Sequence, residues 1–284
     1  MVTINSLSGG KTSSYIAVHY PANYNVFALV RTDDKKCIYP DAKVRQIVSD
    51  KIGCEFVGTL EDDVIINTML DLEQFIGQKI NWVTGKTFDE IIKRKNGTTF
   101  LPSYMRRFCT TEMKLTPIFY WWMKNINSPC KMNIGYRANE MRRAKSMISK
   151  LNKNGLSDFD AIIGKSKTGN KNRWKRIEWQ KPEFPLIKDA IFKDDIEKYW
   201  KDKPVRFAWM NNCVGCMHKD PHLLNKMAVK HPNKLEWFAS KERESTNGCT
   251  WREHITYDKI IKWKPQIELF DNDFKECDSG YCGL

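Results

Sequence analysis

The stretch Val2-Thr3-Ile4-Asn5-Ser6-Leu7-Ser8-Gly9-Gly10-Lys11-Thr12-Ser13-Ser14 decides the fold. Its first half suits a short buried strand, and its second half is a glycine turn opening a helix. Adjacent glycines let a backbone approach an anion with no Cβ in the way. The amides of Gly9 to Ser13 can then converge on a phosphate at the positive end of the helix. Ser8, Thr12, Ser13 and Ser14 add hydroxyl donors, and Lys11 adds charge. The same serines also suit a plain capping turn. The spacing fits neither the loop that ends in Gly-Lys-Ser/Thr nor the Gly-x-Gly-x-x-Gly dinucleotide turn.

Working outward, Ser13 to Tyr20 reads as the first helix, stopped by Pro21, and Asn25 to Arg31 as a buried strand. Asp41 to Ile52 has helical spacing at Val44, Ile47, Val48 and Ile52, ended by Gly53, and Cys54 to Val57 is a strand candidate. Helices are expected over Glu61 to Ile76 and Phe88 to Arg94, and a strand over Lys131 to Gly135. This alternation predicts right-handed β-α-β units and a mostly parallel sheet with helices on both faces. Ligands of such sheets sit beyond the carboxyl ends of the strands, where the glycine turn and Gly135 both fall.

At 284 residues, 41% of them apolar and 29% charged, the chain suits a soluble globular protein with one large core, or a core and a small appended module. No apolar run approaches the roughly 20 residues of a membrane span. The N-terminus lacks the basic-then-apolar pattern of a secretory signal, so a cytoplasmic protein with no membrane partner is expected. Nine cysteines, an odd number with two close pairs, point to metal ligation and free thiols rather than a secreted disulfide scaffold.

The net charge of +13 favours a polyanionic partner or an anionic substrate. Much of the excess lies between Gly164 and Lys181, where seven basic residues are interleaved with Trp174 and Trp179. Lys171, Arg173, Lys175 and Arg176 could hold phosphates while Trp174 stacks on a base of single-stranded DNA or RNA. A solvated, mobile loop is the alternative there. Two further stretches put cations near a helix start, which suits phosphate or sulfate: Arg106 to Pro117, running on through Trp121 and Trp122, and Ile134 to Arg143. Arg143 equally suits a surface pair with Glu140.

The opening loop resembles the Ser-Gly-Gly-x-Asp-Ser PP-loop of the adenine nucleotide α-hydrolase superfamily, with Thr12 where most members carry aspartate. A neutral hydroxyl does not hold Mg²⁺ as a carboxylate does, so the loop speaks for nucleotide binding more than for Mg²⁺-assisted attack on an ATP α-phosphate. Together with Cys109 to Pro117 (Cys-x-x-x-x-Lys-x-x-Pro), Gly135 to Arg143 (Gly-x-Arg-x-x-Glu), Pro185-Leu-Ile and the helix Asp194 to Trp200, it resembles the phosphoadenosine phosphosulfate (PAPS) reductase family over roughly the first 200 residues. The resemblance implies a Rossmann-like (HUP-type) α/β domain over residues 1–205 that binds ATP or a PAPS-like adenine nucleotide. Ser8, Gly9, Gly10, Lys11, Thr12, Ser13, Ser14, Gly135 and Arg137 would line its phosphates, with Lys114 and Arg143 as further candidates. Iron–sulfur members that reduce adenylyl sulfate carry paired cysteines where this chain has Cys109-Thr110, so their cluster does not simply carry over.

Residues 206–284 read as a separate Cys-rich, metal-binding module. Cys213-Val-Gly-Cys216 is a C-x-x-C turn before a helix, with Gly215 permitting the bend, and the tail holds Cys277 and Cys282. Four thiolates suit zinc or a [4Fe-4S] cluster, and Cys249 and Cys109 are possible substitutes for the tail pair. Such an ion would tie down a segment otherwise poor in core. His218, His222 and His231 follow the turn and suit packing or surface roles, with His218 able to replace a missing thiolate. A redox dithiol is the rival role for Cys213 and Cys216. The tail resembles the reductases' Glu-Cys-Gly-Leu, split here into Glu276-Cys277 and Cys282-Gly283-Leu284, which leaves the attacking thiolate between them. Cys282 and Cys109 are the candidate nucleophiles. Cys109, after Arg106 and Arg107, would have a lowered thiol pKa if exposed, although a buried cysteine is the plainer expectation.

The function expected is sulfur chemistry on an adenine nucleotide. It would proceed either as a PAPS reductase-like oxidoreductase or as an ATP-dependent sulfurtransferase acting on a phosphate-rich or nucleic-acid substrate. The alternative is a catalytically silent nucleotide sensor or nucleic-acid-binding module on the same fold, a role that Thr12 favours.

Overall fold

A computed structural model describes residues 1–264 except 95, 167, 168, 170, 246 and 247. Cys277 and Cys282 lie outside the described residues. In chain order the elements are β1 (Thr3–Leu7), α1 (Lys11–His19), β2 (Tyr24–Leu29), α2 (Ala42–Ile52), α3 (Val64–Ile76), β3 (Ile80–Thr84), α4 (Phe88–Ile92), α5 (Phe108–Thr110), α6 (Thr116–Asn125), β4 (Cys130–Asn133), α7 (Met141–Ile148), β5 (Ser157–Lys165), β6 (Asn172–Glu183), α8 (Pro185–Lys188), α9 (Lys193–Trp200), α10 (Pro221–Lys230), α11 (Pro232–Arg243) and α12 (Tyr257–Lys262). Six strands form one sheet in the order β3-β2-β1-β4-β6-β5, with helices flanking it. β1 runs parallel to β2 and β4, β4 runs parallel to β6, and β5 pairs antiparallel with β6.

Local sequence sets the element ends. Asp41 caps α2 by accepting the Lys43 and Val44 N–H groups, and Gly53, left-handed at φ 71°, closes it. Thr87 and Glu90 form a reciprocal capping box on α4. Between α5 and α6 the residues Thr111–Leu115 adopt a π-helical turn. Pro117, at the second position of α6, has no N–H and its ring crowds the carbonyl one turn back, which favours that wider register.

Two expectations are corrected. Cys54 to Val57 is irregular chain, although the alternation had suggested a strand. The basic segment from Gly164 to Lys181 is largely the antiparallel pair β5–β6, not a loop. Its inward residues explain why: Ala161 and Trp179 are buried, and Phe159 stacks on Phe119 at 4.3 Å.

The chain forms two compact units. One comprises residues 1–27, 72–81 and 118–205; the other comprises 28–71, 82–117 and 206–284. The last segment of the second unit begins at Arg206, and that unit also draws on two earlier segments. Its core joins Val30, Leu60, Phe88, Leu101 and Met113 to Leu224, Leu235, Phe238, Trp251 and Tyr257. The Cys-bearing segment is thus rich in buried aromatic and aliphatic side chains, contrary to the expectation that it lacks a core. Phe88 packs edge-to-face on Trp237, Phe238 and Trp251, with ring centroids 5.1 to 5.9 Å apart.

Candidate functional site

In the first unit, β1 and β4 are parallel neighbours, so Ser8 and Ile134 leave the sheet at the same edge. Gly9 takes the left-handed conformation at φ 77°, a value that favours glycine. Gly10 is the extended N-cap of α1, and no side chain caps that helix. The first-turn N–H groups of Lys11, Thr12 and Ser13 are those an α-helix cannot satisfy internally. Ser13 Oγ donates to the Gly10 carbonyl at 3.1 Å and accepts the Ser8 N–H at 3.1 Å, which fixes the turn's shape. Ser14 Oγ is fully buried and has no hydrogen-bond partner.

The Gly135 backbone lies against this helix start. A Cβ placed on it would touch Thr12 Cγ2 at 3.4 Å and the Ser13 nitrogen at 3.7 Å. Thr12 therefore turns its methyl group toward Gly135. Lys11 pairs with Glu197 of α9, and the Trp200 indole N–H donates to the Lys11 carbonyl at 3.0 Å. After β4, Glu140 is gripped by two arginines. Its Oε2 accepts both the Arg137 N–H, at 2.9 Å, and Arg137 Nε, at 3.1 Å, while its Oε1 pairs with Arg143. Arg143 also lies over the Tyr136 ring at 4.2 Å, and Tyr136 stacks on Phe184. The Glu140–Arg143 pair matches its sequence expectation.

In the second unit, Cys213 and Cys216 sit on a tight turn. The Cys216 N–H donates to the Cys213 carbonyl at 3.0 Å, and the Val214 N–H donates to the Leu60 carbonyl at 2.7 Å. Lys219, 1% exposed, donates to the Asn211 and Cys213 carbonyls and so staples the turn. Gly215 is required here by space: a Cβ would lie 2.3 Å from the Phe238 ring, and the Gly215 carbonyl accepts the Tyr257 hydroxyl at 2.9 Å. Cys109, Cys213, Cys216 and Cys249 all pack against the unit's core. Burial pushes the Cys109 thiol up, reinforced by the charge of Cys216, so the lowering expected from Arg107 is outweighed. Burial, and then the carboxylate of Glu61, hold the Cys213 thiol well above the ordinary cysteine range, with Lys114 acting in the opposite sense.

Lys114 belongs to this second unit, where its Nζ pairs with the buried Glu61 at 2.9 Å. Glu61 was not legible as a site residue; its backbone forms an isolated bridge with Cys213. His218 is buried beside Tyr104, and burial, then Arg107 and Arg252, push its imidazole down to about 4, so it is neutral at physiological pH. The three histidines divide by environment: His231 pairs with Asp62 at 3.2 Å and His222 packs on Trp263. Arg106 lines an open cleft of about 550 Å³ with Lys86, Lys93 and Arg94, where Phe100 and Phe108 stack and Arg94 covers Phe100 at 4.1 Å.

The cysteines supply sulfur donors to one region, but among the described residues no three Cys, His, Asp or Glu side chains stand so as to hold a metal ion. The described residues therefore do not by themselves fit the zinc or [4Fe-4S] expectation, and no chemistry is routed through such a group. No described helix is long and apolar enough to cross a membrane. No family model, curated protein or solved structure matches the chain.

Proposed function

We propose that this chain is a cytoplasmic adenine-nucleotide-binding enzyme of sulfur chemistry, built on a Rossmann-like (HUP-type) sheet and related in activity to PAPS reductases or to ATP-dependent sulfurtransferases. The loop from Ser8 to Ser13 carries the proposal. A left-handed Gly9 and a helix start with no side-chain cap follow the end of β1, and Gly135 approaches closely enough to close one side. Backbone donors so arranged suit a phosphate or sulfate group. Arg137, on the turn after β4, and Arg143, in the first turn of α7, are both held by Glu140, and an incoming anion competes with that carboxylate for them.

The thiols available for sulfur chemistry among the described residues include Cys109 and Cys213. Both are held protonated at neutral pH by burial, so a thiolate step requires a base or a nearby cation such as Lys114. Thr12 favours a second reading, a binding module without turnover, because a hydroxyl whose methyl faces Gly135 is a poor stand-in for a metal-binding carboxylate.

Calorimetry with ATP, AMP and PAPS, joined to assays for pyrophosphate, AMP and sulfite, tests both readings. Binding that Gly9→Val abolishes, with release of any of these products, is expected for the enzyme. Binding without product leaves the silent module. No heat with any of the three nucleotides overturns nucleotide binding itself.

A further inference from the structure

The outer part of the β5–β6 ribbon has a composition that packing does not explain. β4 pairs only with Gln180, Lys181, Pro182 and Glu183, so β6 from Asn172 to Trp179 has β5 as its one partner strand among the described residues. Near the sheet the ribbon is anchored. Tyr120 accepts the Ile162 N–H at 3.1 Å, Trp179 packs against Phe119 and Trp122, and Asp160 pairs with Arg176 through two hydrogen bonds. Further out, Ile163, Gly164, Lys165, Lys171, Asn172, Arg173, Trp174 and Lys175 are all exposed.

Trp174 is 62% exposed although it faces a cross-strand partner, Ile162. Between Asp160 and Glu178 the sequence contains no acidic residue, and Asp160 is already engaged by Arg176. An exposed indole and a run of exposed cations suit the same occupant: a polyanion with accessible flat rings.

We infer that this ribbon is a grip for single-stranded nucleic acid, with Trp174 stacking on an unpaired base and Lys165, Lys171, Arg173 and Lys175 contacting the phosphates on either side. Alternate residues of a strand repeat at about 6.8 Å, which places Arg173 and Lys175 on one face while Trp174 occupies the other. The irregularity between Ile162 and Gly164 breaks the alternation of the facing strand, so that Lys165, opposite Asn172, shares the face of Trp174, opposite Ile162. A single strand fits because its base faces are open to stacking, whereas a duplex buries them. The inference goes beyond the nucleotide proposal and stands without it.

Fluorescence anisotropy with a labelled oligothymidylate, the matching oligouridylate and a duplex of the same length, across 50 to 200 mM salt, provides the test. The single strands are expected to bind, with Trp174→Ala weakening them about ten-fold or more. Substituting Arg173→Gln and Lys175→Gln together is expected to reduce the slope of log K against log salt by about 1.4, the value for two phosphate contacts on a single strand. These side chains are exposed, so the unfolding midpoint and ATP calorimetry of the variants should match the parent, which separates failure of the grip from failure of the nucleotide loop. Absence of saturable binding, binding unchanged by Trp174→Ala, or tighter binding to the duplex overturns the inference.

Discussion

Cys37 and Cys130 are 2% and 0% exposed, and burial pushes each thiol up to about 12, with Asp34 adding to the effect at Cys37. A thiol whose pKa is higher in the folded state keeps its proton while the unfolded chain loses its own. The unfolded state then binds fewer protons, so stability is fully present below about pH 9 and is lost as pH rises toward 12. Alkylation follows the same order, because only the thiolate reacts. At pH 8, mass spectrometry of iodoacetamide-treated protein should show the exposed Cys54 modified first, with Cys37 and Cys130 modified only after denaturant is added. Comparable rates at all three would contradict their burial. At this scale the sequence disclosed the local turns. The C-x-x-C spacing marks the tight turn of Cys213 and Cys216, and two glycines after a strand mark the turn that opens α1. It could not disclose partners distant in the chain: Glu61 for Lys114, Glu197 for Lys11, or the Phe238 ring that makes Gly215 obligatory.

Across the middle of the sheet, neighbouring strands are joined by side chains as well as backbone. Asn5 of β1 donates to Asn25 Oδ1 on β2 at 3.0 Å and accepts from Asn133 of β4 at 2.8 Å, and Asn25 continues to Gln78 at 3.2 Å. Asn5, Asn25 and Asn133 are all nearly buried. A chain of satisfied amides on three parallel strands fixes their register, because a slip by one residue reverses every side chain. Asn5→Ala removes the shared partner and leaves two buried amides incompletely bonded, at a cost of about 1 to 3 kcal/mol. Urea denaturation should show the lower midpoint with an unchanged slope, and an unaltered midpoint would mean that the ladder contributes nothing. Elements with strong periodicity, such as α2 and β1, were readable from sequence. This ladder was not, since asparagine in a strand reads as a turn former until its neighbours are known. The ribbon was obscured for a related reason: its outer half has no buried face, so no apolar alternation betrays the strands.

The second unit takes its core from both sides of the boundary at residue 205. Val30, Cys37, Leu60, Phe88, Ile92, Leu101 and Met113 precede that boundary, while Met210, Val214, Leu224, Leu235, Phe238, Trp251 and Tyr257 follow it in the same buried cluster. Lys234, buried on α11, crosses the same divide by donating to the Glu61 carbonyl at 2.6 Å and pairing with Asp63 at 2.7 Å. Trp237 Nε1 donates to Asp89 at 3.0 Å. A chain cut after Val205 therefore keeps half of a core and exposes its inner face. Each large apolar side chain so uncovered forfeits about 1.5 to 3 kcal/mol, and a few together exceed the roughly 5 to 15 kcal/mol by which a domain is stable. The fragment 1–205, although it contains every strand of the sheet, should bind a hydrophobic dye such as ANS and should be cut rapidly by protease within 28–71 and 82–117, whereas the full chain should leave the dye unbound and resist cleavage there. A fragment that binds no dye and resists cleavage within 28–71 and 82–117 would show that these residues reach a stable fold without the Cys-bearing segment, and that the shared core is dispensable.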